Sequence, residues 1–169
     1  LDNETPASVT LKKEATYNGS IKLYEGGQFD HNGLKNVTLS KDITGTSTDG
    51  WYTISSPVGT VNHTGVEGLL TDDTHDLYRY DEPTSVWQNV KESSNIFTSL
   101  ESGRGFLYAN KYDVTLSFSG ELNGDDVSYY LTKTDDIILS GFHLIGNPFA
   151  HNIYKGEGAA IEDKNLATG

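Results

Sequence analysis

Four absences bound this 169-residue chain before any motif is read. It has no cysteine, which removes disulfides, thiolate metal sites and thiol nucleophiles together. It has no methionine, initiator included, so the expectation is a processed or excised piece of a longer polypeptide. No apolar run approaches the roughly 18 residues of a membrane span, and no signal-like segment opens the chain. A mature exported chain would have lost such a segment, so export stays open. Basic residues are scarce: Lys+Arg 12 stand against Asp+Glu 24, a formal net charge of −12. A surface of that sign repels phosphate, so nucleic acid is not an expected partner. The same self-repulsion suits a protein that must stay soluble outside the cell.

Helical periodicity is scarce too. Its one candidate, residues 158–167, has poor apolar spacing and a glycine entry, and reads as a loop with one helical turn. What the chain does have is 18 glycines, 35% hydrophobic and 11% aromatic residues, the composition of a thin, strand-rich fold, and its length suits one domain or one plus a small appendage. Residues 114–119 alternate apolar and polar strictly, setting Val114, Leu116 and Phe118 on one face of a pleat. Shorter alternations at 9–11, 21–23, 37–39 and 129–131 predict further strands. Turn dipeptides (Gly26-Gly27, Asn32-Gly33, Asp49-Gly50, Asn123-Gly124) punctuate them. The segments 78–80 and 86–90 flank Asp81-Glu82-Pro83-Thr84-Ser85, in which proline pre-sets φ, so a hairpin is predicted. The expected fold is all-β, a β-sandwich of jelly-roll or immunoglobulin-like type.

Two domain-level readings follow. Residues 1–44 form a strand-rich N-terminal segment, either the last turns of a β-solenoid or the opening strands of the same sandwich. Residues 45–169 form the sandwich module. Within it, residues 50–58 align with residues 141–149: each has glycine, an aromatic, isoleucine at the fifth position and proline at the eighth. Each reads as a short strand launched by glycine and stopped by proline, which cannot donate to a ladder. Either the two are unrelated strand–turn pieces or the module opens a duplicated pair.

The search for chemistry returns little. There is no Gly-x-Ser-x-Gly elbow and no glycine-rich phosphate cradle. His31, His63, His75, His143 and His151 are dispersed and read as surface residues rather than a zinc set. Acidic clusters fall in expected loops; Asp72, Asp73 and Asp76 are the candidates for calcium, since a hard cation takes several oxygens from one loop. Solvated turn acids are the plainer reading of these three, and calcium is the alternative; no other cofactor is expected. A glycosidase needs two carboxylates facing each other, and nothing in the sequence selects such a pair. Trp51, Trp87, Tyr78 and Tyr80 alternate along expected strands. Cross-strand aromatic pairing explains them as structure; an exposed aromatic shelf beside Asn and Asp would instead take sugar rings.

The phrases GWYTISSPVG, DLYRYDEPTSVWQNV, GRGFLYAN (residues 103–110), VTLSFSGELN and GFHLIGNPF (residues 141–149) together resemble a recurrent region of adhesin-like secreted surface proteins of Bacteroidetes. Phe142 stands where that region usually has Trp, and His143 where it usually has Asn. The resemblance implies an extracellular or outer-surface location, an all-β accessory region and no catalytic residues. The expected function is therefore a non-catalytic adhesion or spacer module of a larger exported bacterial protein, not an enzyme. The alternative is a carbohydrate-binding module using exposed aromatics. Expected partners are a host or bacterial surface glycan or protein and neighbouring domains of the same polypeptide, with no membrane span.

Overall fold

The computed structural model describes residues 19–23, 37–46, 50–70, 72–92 and 97–153. The expectations for 9–11, for the Gly26-Gly27 and Asn32-Gly33 turns and for 158–167 lie outside these residues. The fold is all-β. Its strands are β1 (Gly19–Leu23), β2 (Val37–Ile43), β3 (Tyr52–Ile54), β4 (Val61–Asn62), β5 (His75–Asp81), β6 (Val86–Asn89), β7 (Ser99–Leu100), β8 (Phe106–Asn110) and β9 (Val114–Gly120). They form three sheets, ordered β1-β2-β9, β3-β8-β5-β6 and β4-β7. Single-turn 3-10 helices at His63–Gly65 and Glu82–Thr84 are the only helical pieces among the described residues. None of the described helices is long and apolar enough to cross a membrane.

The alternating run 114–119 becomes β9, pairing antiparallel with β2 from Val37↔Gly120 to Ile43↔Val114. Leu116 and Phe118 turn into the core with Val37, Leu39 and Ile43, as period-two patterning requires. The other face of the ladder carries hydroxyl pairs, Ser40 with Ser117 and Thr38 with Ser119, each at 2.8 Å. On its far side β2 pairs with β1 in parallel, Gly19 opposite Val37 and Ile21 opposite Leu39. A parallel, in-register pair is the rung geometry of a solenoid. The antiparallel ladder to β9 meanwhile places β2 between β1 and the last strand of the described chain.

Hairpin β5–β6 forms as predicted, with Tyr80 opposite Trp87 and Asp81 opposite Val86. Pro83 lies in the 3-10 turn, and Ser85, at φ 56°, supplies the left-handed residue that turns the chain into β6. One buried apolar cluster joins all three sheets: Val37, Leu39, Leu116 and Phe118 from the first, Ile54, Leu77, Phe106 and Tyr108 from the second, and Leu100 from the third. Burying each large side chain contributes about 1.5–3 kcal/mol. Close approach between elements demands glycine at position 68, where φ is +80° and an added Cβ would lie 2.0 Å from the Thr115 carbonyl oxygen.

From residue 121 to 153 the chain contains no strand, which corrects two expectations. Residues 129–131 do not pair, and Tyr130 is 89% exposed. The phrase 141–149 makes one isolated bridge, Ile145 with Arg104, rather than a strand. Side-chain bonds, together with a few isolated backbone bonds such as Gly105 N–H to Leu144 O and Gly146 N–H to Gly103 O, hold this stretch in place of a ladder. Glu82 and Asn123 bond its backbone at several points, and such bonds satisfy peptide groups without requiring extended pairing. The two aligned phrases nevertheless meet. Ile54 pairs with Phe106 while Ile145 bridges Arg104 two residues earlier, and Asn123 Nδ2 donates to both Ser56 O and Pro148 O.

Candidate binding surface

Register decides which side chains share the outer face of the four-stranded sheet. Leu77 and Tyr108 are opposite each other and wholly buried, so the odd positions of β5 and even positions of β8 face the core. Asp76, Tyr78 and Tyr80 therefore lie on the outer face, beside Ala109 and Leu107 of β8 and Asn89 and Trp87 of β6. One residue before β3, Trp51 falls level with Ala109 and is 48% exposed. Tyr52 turns the other way and packs against the core, the opposition that alternation demands.

The four aromatic candidates separate into two pairs. Trp51 meets Tyr78 edge-on, with centroids 5.8 Å apart and planes at 66°. Tyr80 lies 5.3 Å from Trp87 and is capped edge-on by Phe142 at 5.2 Å. At 4% exposure Tyr80 is buried, so it is not presented to solvent as Trp51 is. Its hydroxyl bonds Ser85 and the Ile138 carbonyl, so the stretch around 138–142 covers this half of the face. Trp87 is half-buried beside Tyr80. The half bearing Trp51 and Tyr78 is open.

Glu82 holds that cover down. It is 1% exposed, and its carboxylate accepts from the backbone N–H groups of Thr134 (2.7 Å) and Gly141 (2.9 Å) and from the hydroxyls of Thr132 and Thr134. Donation from Gly141 is the largest of the effects that hold its pKa down at about 2, because every one of these bonds favours the ionised form.

The calcium candidates do not assemble. Asp72 caps its own loop, accepting from the Thr74 N–H at 2.8 Å and from its hydroxyl; the hydroxyl bond is the first cause of its lowered pKa. Asp73 is exposed. Asp76, on the sheet, pairs with Lys91 Nζ at 3.0 Å and accepts from Asn89 Nδ2 at 3.1 Å. No three His, Asp or Glu residues among those described gather as a metal site. A second expectation is corrected inside the fold: His63 and His75 are buried, not surface residues. They form a group with Tyr108 and Asn110, in which His63 Nδ1, both His75 ring nitrogens, the Tyr108 hydroxyl and Asn110 Nδ2 have no hydrogen-bond partner.

Sequence reasoning passed over Asn89 and Lys91. The period-two spacing from Trp87 sets Asn89 on the outer face, whereas Lys91 lies in the turn after β6 and reaches Asp76 by its long side chain. Comparison with known proteins returns no matching family model, curated protein or solved structure.

Proposed function

We propose that the chain is a non-catalytic module of an exported bacterial surface protein, serving as a spacer or adhesion unit with its sheets packed as a sandwich. The observation that carries this reading is what three acids, Glu82, Asp72 and Asp76, do. Glu82 clamps residues 132–141 to the hairpin, Asp72 caps a loop, and Asp76 is paired with a lysine. Hydrolysis by paired carboxylates needs a general acid whose pKa is pushed upward. Glu82 and Asp72 are both pushed downward, by hydrogen bonds that fix structure. The phrases shared with secreted Bacteroidetes adhesin-like proteins support an outer-surface location, alongside neighbouring domains of the same polypeptide.

Two measurements test the proposal. Incubation with a panel of oligosaccharides and peptides should release no new reducing ends or amines; turnover of any of them would overturn it. Protease treatment of intact cells carrying the parent protein should remove the module, and protection until lysis would refute the location.

A further inference from the structure

The open half of the outer face combines an aromatic shelf with a polar array, both carried by the four-stranded sheet and the residues that flank its strands. Trp51 presents nearly half its surface to solvent and is braced edge-on by Tyr78, so the indole is held at a fixed tilt. Two residues along β5, on the same face, the Asp76 carboxylate is joined to the Lys91 ammonium and the Asn89 amide. Side-chain exposure is 41% for Asp76 and 29% for Lys91, so acceptor and donor are reachable from solvent. Ala109 lies opposite Asp76, and its small side chain leaves the floor between aromatic and polar groups low.

We propose that this half-face, Trp51 and Tyr78 with Asp76 and Lys91, binds a neutral hexopyranose chain, with the buried Asn89 (7% exposed) bracing Asp76 from within; the proposal rests on the reading of the protein as an adhesion module. A sugar ring has an apolar C–H face and an equatorial rim of hydroxyls, each both donor and acceptor. The C–H face carries slight positive charge and is attracted to the negative face of an indole or phenol. Adjacent hydroxyls match a carboxylate beside an ammonium, one donating to Asp76 and the next accepting from Lys91. A flat aromatic peptide could use the shelf but would leave that paired array unanswered. Anionic glycans are disfavoured by the net charge of −12, which selects neutral sugars.

The probe is an array of neutral gluco-, galacto- and manno-configured oligosaccharides, with hits titrated calorimetrically against the whole chain. Binding is expected for at least one series. Trp51→Ala and Tyr78→Ala should each weaken it by about thirtyfold, the scale of a central aromatic anchor. Tyr130→Ala, which removes an aromatic exposed elsewhere, should leave affinity unchanged. In the wild-type protein the Trp51 indole N–H resonance should shift on titration and that of Trp87 should not, a reading independent of how any variant folds. A silent array, affinity retained in Trp51→Ala, or a still Trp51 resonance in a bound sample would each overturn the proposal. The non-catalytic reading fails separately: release of reducing ends from a bound oligosaccharide would overturn it and leave the shelf standing.

Discussion

Acid should loosen this fold well before its carboxylates titrate, and the reason lies with two buried histidines. His75 is 2% and His63 8% exposed. Burial lowers both pKa values below the usual 6.5. The Lys91 ammonium adds to the effect at His75, and His75 itself adds to it at His63. The Asp72 carboxylate, 3.7 Å from His75 Nδ1, works in the opposite direction but does not overcome desolvation. With folded values depressed, the unfolded chain binds protons first as pH falls. The histidine contribution to stability is therefore complete above pH 6.5 and is lost as pH falls through 6.5 toward the folded values. Each histidine raises the unfolding constant by at most about tenfold per pH unit in that window. From pH 6.5 to 5.0 the pair therefore sets a ceiling of about a thousandfold, roughly 4 kcal/mol. His75→Phe keeps an aromatic ring beside Tyr108, whose centroid is 6.5 Å away, and deletes one titration. Its ceiling falls to about thirtyfold. Urea unfolding followed by tryptophan fluorescence between pH 7.5 and 5.0 measures both. Glu82 and Asp72 do not confuse the window, because their contributions are lost only as pH falls below their unfolded values of 4.5 and 3.8. Identical pH slopes for wild type and His75→Phe, or a His75 imidazole titrating at 6.5 or above by NMR, would refute the reasoning.

Glu82→Gln replaces one acceptor oxygen with a donor that faces N–H and hydroxyl groups. Amide exchange at Thr134 and Gly141 should accelerate by about tenfold or more, the scale of one lost charged hydrogen bond, while core amides of β5 and β8 stay protected. The wild-type Glu82 contribution should itself disappear as pH falls from 4.5 toward about 2, which the same exchange experiment at low pH would show. Gly68→Ala forces a Cβ onto the Thr115 carbonyl oxygen at positive φ and should cost more than about 1 kcal/mol by denaturant titration. Phe106→Ala empties a position with 0% exposure and should cost about 3–5 kcal/mol, lowering Tm by about 2–4 °C for each kcal/mol.

Local features of the sequence were read correctly where the chemistry is local. The alternation at 114–119 needs only i, i+2 spacing to define a face, and β9 follows it. Proline between 81 and 85 sets its own φ, and the short polar residues beside it hydrogen-bond locally, so a turn is prescribed there and the β5–β6 hairpin closes with Tyr80 opposite Trp87. By contrast, residues 129–131 and 141–149 look like strands from composition, yet whether a strand forms depends on a free edge to pair with. Here residues 144–146 find backbone partners at residues 103–105, through two backbone bonds that make one bridge, while Glu82 takes the Gly141 N–H.

The sequence by itself thus determined an all-β chain with acidic charge, no thiol chemistry and a hairpin at 78–90, because propensity, turn geometry and composition act over a few residues. Only the tertiary structure decided that Tyr80 is covered while Trp51 stays open, and that His63, His75, Tyr108 and Asn110 share one buried group. Those outcomes depend on which distant segment comes to lie over a given face, and no short-range pattern encodes that.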